Sequence, residues 1–189
     1  MVGLIFKVLM DLVKTAGGDE AVAQVRLRAQ VLPEQEYKLN AVYDDGEWRR
    51  LVGAACEVLG LTAEQAETAY AEHFLQDSLA RWPMWFRMSG NSREFLLRQP
   101  AIHNSLAAGV SEEAQRNAIA DKFRIETTDD GLITHYRSAN GHCGLYKALA
   151  RGVIAHYGDE ATIEEPRCAR RGDDECEVHV RWTKYGVKP

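Results

Sequence analysis

The sequence contains no run of lysine and arginine, and no strip in which basic and aromatic residues alternate. Its formal net charge is −5 and its isoelectric point is near 5.7. Binding to nucleic acid requires positive charge concentrated against the phosphate backbone. We therefore expect no nucleic acid among the partners of this protein.

Long apolar segments are also missing, since no window of about 20 residues is apolar enough to span a bilayer. The N-terminal run MVGLIFKVLMDLVKTAGG is interrupted by Lys7, Asp11 and Lys14, and no small-residue cleavage site follows it. The sequence thus predicts a cytoplasmic protein with no signal peptide and no membrane insertion.

Motifs of the common enzyme classes are missing as well. There is no Ser-His-Asp order, no phosphate-binding glycine loop and no pair of carboxylates in a specific context. We therefore expect that the protein is not an enzyme. What the chain does have is 189 residues with 46% hydrophobic content, which suffices for a core of its own.

Hydrophobic spacing predicts helices in the first two thirds of the chain. Apolar residues recur at helical intervals from residue 3 to residue 15, and Gly17-Gly18 provides a stop. A second helix fits Asp19 to Gln30, and a third begins at Asp44 or Asp45 and ends at Gly60. The next helix starts at Thr62. This part of the chain is predicted to be entirely helical.

A period of two replaces the helical period from residue 121 onward. The segments KFRIETT and LITHYRS flank the turn Asp129-Asp130-Gly131 and predict a hairpin. A helix at residues 143 to 157 follows, and ATIEEPRCARRGDDECEVHVRWT predicts a second hairpin. The fold class is therefore α+β, with a helical N-terminal subdomain packed on a helical region plus a small four-stranded antiparallel sheet.

One histidine stands in the apolar helical stretch FLLRQPAIHNSL. Pro100 lies three residues before His103 and suits the first turn of a short helix. Two interpretations are open at this point. His103 is either a core residue whose ring is hydrogen-bonded to backbone, or a neutral imidazole that binds a metal ion.

The segments MVGLIFKVLMDLV, WPMWF, FLLRQPAIHNSL and HYRSANG, in this order, resemble the haem-binding nitric oxide/oxygen sensor domain called H-NOX. The resemblance extends over nearly the whole chain. It implies one compact H-NOX-like unit, with a helical distal subdomain at residues 1–62 and a proximal subdomain at residues 63–189. It also implies haem b as the cofactor and His103 as the proximal ligand of the haem iron.

The H-NOX family holds the haem propionates with the motif Tyr-x-Ser-x-Arg, whereas this chain reads YRSAN from residue 136 to residue 140. The resemblance assigns Tyr136, Ser138 and Asn140 to the propionates. Asn140 lacks the charged, bidentate fork of arginine, and Arg137 alternates to the opposite face of the strand. We expect looser haem retention, or a cation from elsewhere, such as Arg151. Alternatively, Tyr136 and Ser138 are ordinary strand residues.

The distal side of the haem is predicted to be apolar. Through the resemblance, Ile5 and Leu9 of the first helix line it, and Leu145 falls where oxygen-binding relatives have a tyrosine. Tyr146 is one residue further and should point about 100° away on a helix. Without a hydrogen-bond donor the pocket should disfavour oxygen but not nitric oxide. Arg116 occupies the position of a family proline that presses against the porphyrin.

Cysteines form a second group of candidate ligands. Cys143, Cys168 and Cys176 resemble the positions in which some bacterial H-NOX proteins hold zinc, and zinc requires a fourth ligand. Alternatively, these thiols are unliganded or oxidised in pairs. Cys56 is expected to be a buried structural residue. Candidates for the fourth ligand are His142, Glu165 and His179, and the histidines predicted to be plain surface or core residues are His73, His135 and His156.

The resemblance implies a sensor in which nitric oxide, or carbon monoxide as its analogue, binds a five-coordinate ferrous haem. Nitric oxide would weaken or break the bond between His103 and the iron and so relax the helix that carries His103. The sensor would act in trans on a histidine kinase or a cyclic-di-GMP enzyme. The alternative function is a haem-independent zinc or thiol redox switch that uses Cys143, Cys168 and Cys176.

Overall fold

A computed structural model of the protein describes residues 1–110, 113–120, 122–137 and 140–186. Backbone contacts divide the chain into two units, Met1–Phe74 and Leu75–Pro189. The division at residue 62 stays a prediction. None of the helices in the described ranges combines the length and hydrophobicity needed to cross a membrane.

The helices are α1 (Gly3–Arg28), α2 (Asp45–Leu59), α3 (Ala63–Arg81), α4 (Pro83–Arg87), α5 (Ser92–Leu97), α6 (Gln99–Ala107), α7 (Glu113–Ala120) and α8 (Cys143–His156), and the strands are β1 (Phe123–Thr127), β2 (Gly131–Tyr136), β3 (Glu160–Arg167) and β4 (Cys176–Lys184).

The predicted stop after the first helix is present as a kink within α1. Gly18 has φ 72° and ψ −169°, a conformation that is strained for any residue with a side chain. The boundaries predicted for α2 are also confirmed. The Asp44 side chain accepts a hydrogen bond of 2.9 Å from the backbone N–H of Glu47, and Gly60 ends the helix with φ 65°.

Aromatic side chains build the core of the first unit beneath α1. The fully buried Phe6 lies 4.7 Å from Tyr37 and 5.4 Å from Trp48, measured between ring centroids. The Tyr70 hydroxyl donates to the carbonyl oxygen of Ile5 at 3.0 Å, which connects α3 to α1. These contacts hold in place the turns of α1 that carry Ile5 and Leu9.

The second unit contains the predicted four-stranded antiparallel sheet, in the order β1-β2-β4-β3. Both hairpins are confirmed, and β2 and β4 pair with each other at the centre. Helix α8 buries Ala150, Val153 and Ile154 in the same core as Leu132 and Val180 of the central strands. The alternating pattern of β4 therefore reflects one face turned to this core.

A buried carboxylate joins α5 to the end of the sheet. Asp159 accepts hydrogen bonds from the backbone N–H and hydroxyl of Ser92, at 2.8 and 2.5 Å, and from the N–H of Gly186 at 2.8 Å. The indole of Trp182 donates to the Ser92 hydroxyl at 2.8 Å. Since α5 leads directly into α6, these bonds tie the start of the His103 helix to the sheet.

Helix α6 has Pro100 in its first turn, as the sequence predicts. Helix α7 was not predicted, because its sequence is polar and has no extended apolar stripe. Its Ile119 is buried, and the Arg116 guanidinium donates to the carbonyl oxygen of Val110 at 3.0 Å. Tertiary contacts thus stabilise a helix whose own pattern is weak.

Candidate functional site

His103 lies on α6 with its ring half-buried against β1. The ring centroid is 4.5 Å from that of Phe123, at an interplanar angle of 49°. Its Nδ1 atom is buried and has no hydrogen-bond partner among the described residues. Burial, aided by the charge of Lys122, lowers the pKa of His103 to about 4. The imidazole is therefore neutral at pH 7, and Nδ1 lacks the backbone bond expected of an ordinary core histidine.

Three aromatic side chains, Phe123, Tyr136 and Tyr146, form a group that we call the aromatic cluster. Phe123 pairs with Tyr136 across the β1–β2 hairpin, with ring centroids 5.0 Å apart, and lies 5.4 Å from Tyr146. Tyr136 and Tyr146 are stacked at 5.9 Å. Phe123 thus contacts His103 and both tyrosines. It was missed as a site residue, because counting back from the predicted three-residue turn pairs Arg124 with Tyr136, whereas the structure pairs Phe123 with Tyr136.

Tyr146 belongs to the core of the second unit. Its hydroxyl lies 2.8 Å from the Thr134 hydroxyl, and burial raises its pKa to about 12. The neighbouring Leu145 is half-buried. The two side chains therefore have different surroundings, as expected for adjacent positions on a helix. The assignment of Leu145, Ile5 and Leu9 to a distal pocket stays a prediction; Ile5 is half-buried and Leu9 is buried on α1.

The predicted propionate clamp follows the end of β2. Tyr136 is buried and Asn140 is half-buried, whereas Ser138 lies outside the described residues. Arg137 is exposed, and its Nε atom donates to Oε2 of Glu175 at 2.9 Å. This contact agrees with the expectation that Arg137 turns away from Tyr136 and does not replace the missing arginine.

A second site contains Cys143, Cys168, Cys176 and Glu165, which we call the cysteine–carboxylate cluster. Their sulfur and oxygen atoms all lie within 4.8 Å of one another. The sulfurs of Cys143 and Cys168 are 3.6 Å apart, and no disulfide joins them. Burial raises the pKa of the Cys143 thiol. The backbone N–H of Ala169 donates to the Cys176 sulfur at 3.3 Å.

The sequence leaves three candidates for the fourth ligand, and Glu165 is the one that lies in this cluster. Its Oε2 atom accepts from Lys147 Nζ at 2.7 Å, while its Oε1 atom is buried without a hydrogen-bond partner in the described part of the chain. The other two candidates, His142 and His179, are not in the cluster. Three thiols and one carboxylate oxygen are a ligand set that fits tetrahedral zinc. Cys56 is half-buried in the first unit, which corrects the expectation of full burial.

The family model described as Haem-NO-binding matches residues 2–165 of the chain. The chain is a member of the H-NOX family. Family membership and the sheet topology together establish the fold of a haem-binding gas sensor.

Solved H-NOX structures align with this H-NOX chain over nearly their whole length. An H-NOX protein from S. oneidensis in the Fe(II)NO ligation state is 16% identical, with a TM-score of 0.81 over 97% of this chain and 100% of that one. Unliganded Fe(II) H-NOX from K. algicida is 20% identical, with a TM-score of 0.75 over 97% of both chains. An oxygen-binding H-NOX domain related to soluble guanylate cyclases is 15% identical, with a TM-score of 0.78 over 100% and 98%.

The residues of this H-NOX chain fit a haem group on its proximal side. A histidine can bind haem iron only as the neutral imidazole, and the lowered pKa of His103 keeps it in that form. Buried polar atoms are nearly always satisfied in native proteins, so the orphaned Nδ1 of His103 points to an interaction from outside the described polypeptide.

Proposed function

We propose that this H-NOX chain is a haem-based sensor of nitric oxide that signals to a partner protein and has no enzymatic activity of its own. The observation that carries the proposal is the neutral His103 ring, half-buried on a short helix with an unsatisfied nitrogen. When bound, haem b would supply a ferrous iron able to take nitric oxide, with carbon monoxide as its analogue.

In this proposal side chains of this polypeptide would bind and orient the haem. His103 is the proximal ligand, and Tyr136, Ser138 and Asn140 donate hydrogen bonds to the propionates. By the family resemblance, the apolar side chains of Ile5, Leu9 and Leu145 would line the distal side. They offer no hydrogen bond to the partial negative charge of bound oxygen, so the site discriminates against oxygen.

Signalling would begin at the helix that carries His103. The ring of His103 contacts Phe123 on β1, so displacement of α6 alters the packing of the aromatic cluster and the edge of the sheet. Such a change acts on a partner only if the two arrangements offer it different contacts. The partner expected from the family resemblance is a histidine kinase or a cyclic-di-GMP enzyme.

An absorption spectrum of the purified protein, as isolated and after reduction, tests the proposal. We expect a Soret band from bound haem, and a shift of this band when nitric oxide is added to the reduced protein. Exposure of the reduced protein to air should not produce a stable oxygen complex, since the predicted distal residues cannot donate a hydrogen bond. Protein made with ample haem that has no Soret band would contradict haem sensing, and a stable oxygen complex would contradict only the apolar distal pocket.

A second candidate function is a zinc or thiol switch that needs no haem. The cysteine–carboxylate cluster favours it, because Glu165 presents an unpartnered oxygen to three buried thiols. We propose zinc as the ion, with Cys143, Cys168, Cys176 and Glu165 as its four ligands. Removal or oxidation of the thiol ligands would release the ion and loosen the β3–β4 hairpin.

Elemental analysis of protein purified without chelator should find about one equivalent of zinc. A thiol-modifying reagent should release it, because the thiolates are ligands. Cys168→Ser should lose most of the zinc, whereas Cys56→Ser, the matched control in the first unit, should retain it. Less than about a tenth of an equivalent in the unmodified protein would contradict the zinc site.

A further inference from the structure

Tyr136 lies between the haem-ligand candidate His103 and the cysteine–carboxylate cluster. On one side its ring contacts Phe123, which in turn contacts His103. On the other side Tyr136 is packed in one buried group with the three cysteines, and it pairs directly with Cys176 across β2 and β4. A single residue therefore borders both candidate sites.

The pair Tyr136–Cys176 is the last pair of the β2–β4 ladder. The ends of strands open more easily than their centres, because they have neighbours on one side only. The position of Tyr136 therefore depends on contacts besides the ladder itself.

Glu175, the residue before Cys176, provides such contacts on both sides of Tyr136. Its Oε1 atom lies 2.8 Å from Nδ1 of His135, and its Oε2 atom accepts from Nε of Arg137 at 2.9 Å. Arg124 Nη2 lies 3.6 Å from the same carboxylate. The side chain of Glu175 is 11% exposed, so these interactions are partly shielded from water.

We propose that Glu175 is a positioning residue that couples the metal site to the haem site. Its carboxylate binds His135 and Arg137, the residues on either side of Tyr136. Glu175 thereby keeps Tyr136 next to the strand that begins with the metal ligand Cys176. Metal binding orders this strand, Tyr136 is held in place, and haem is retained longer. The coupling rests on the proposed function, in which Tyr136 donates to a propionate, and it partly offsets the missing arginine of the clamp.

The test measures transfer of haem to excess apomyoglobin from protein whose cluster is either loaded with Cd²⁺ or stripped by a chelator. Cadmium is the probe, since its thiolate complexes have an ultraviolet charge-transfer band. Stripping should accelerate haem loss from the unmodified protein by about 2- to 10-fold, which is less than the loss of a whole hydrogen bond to a charged propionate. Glu175→Ala should lose haem at one rapid rate with or without cadmium, although its cadmium band is unchanged.

Two further variants separate positioning from a purely structural role. Glu175→Gln keeps an acceptor beside Arg137 and should recover part of the cadmium dependence. Glu177→Ala is the matched control on the same strand, where its carboxylate contacts His179, and it should behave as the unmodified protein does. Equal rates of haem loss from loaded and stripped unmodified protein would overturn the proposal, and so would a cadmium dependence that survives in Glu175→Ala.

A protein that binds no haem would overturn the proposed function and leave the coupling measurable. In that case hydrogen exchange of the Arg137 amide, which donates to the carbonyl of Lys122 at 3.1 Å, is the readout. Cadmium should slow this exchange in the unmodified protein and not in Glu175→Ala. Unchanged exchange, or the absence of a cadmium–thiolate band, would overturn the coupling itself.

Discussion

Replacing His103 with glycine is expected to abolish or greatly weaken haem binding, and added imidazole is expected to restore it in part. The substitution removes the only bond between polypeptide and iron that we propose, and it leaves a space of the size of an imidazole beside Phe123. Free imidazole can occupy that space and supply the missing ligand. The measurement is the Soret absorbance per protein, with and without imidazole.

His156→Gly is the control for removal of a half-buried histidine that packs on aromatic rings. His156 is the last residue of α8 and packs against Phe86 and Tyr157. Glycine in the interior of α6 costs less than about 1 kcal/mol relative to histidine, and only His103→Gly should lose haem. Full haem occupancy of His103→Gly without imidazole would refute His103 as the ligand.

Asn140→Arg is expected to slow haem loss by a factor of about 10 to 150. A hydrogen bond to a charged group contributes about 1.5 to 3 kcal/mol, and arginine would restore the bidentate, charge-assisted pair that the clamp lacks. The measurement is the rate of haem transfer to apomyoglobin. Asn140→Lys is the matched control, because it adds the charge without the planar fork and should slow the loss less.

Tyr136→Phe should have the opposite effect and accelerate haem loss, since it removes one hydroxyl donor and preserves the stacking on Tyr146. If neither Asn140→Arg nor Tyr136→Phe changes the rate, the end of β2 is not the propionate clamp. The case for a haem site would then depend on His103 alone.

Periodicity and turn chemistry were sufficient to predict most of the fold. The Asp129-Asp130-Gly131 turn and the alternating runs predicted both hairpins, and capping residues placed α2 to within one residue. Helix α7 was missed because its polar sequence has no extended apolar stripe, and its packing on α6 stabilises it instead. Local sequence patterns therefore do not predict an element whose stability depends on tertiary packing.

The candidate sites could be predicted only where the residue types and their spacing are characteristic of a known kind of site. Three cysteines indicated a metal site, but the choice of Glu165 depends on how β3 pairs with β4, including a register irregularity between Glu164 and Arg167. Glu175 and Phe123 matter through their neighbours in space, which no local motif encodes. Ser138 lies outside the described residues, and its role stays a prediction.

The strand order β1-β2-β4-β3 also constrains the sequence of events during synthesis of the chain. Strand β4 leaves the ribosome after the other three strands of this sheet, yet it pairs with both β2 and β3. Until it arrives, β2 presents an unpaired edge to other nascent chains. Cys176 begins β4, so the four proposed metal ligands are all present only once this central strand is available. A metal ion would therefore bind only to chains whose sheet is complete. Such chains no longer expose the edge of β2 that promotes aggregation.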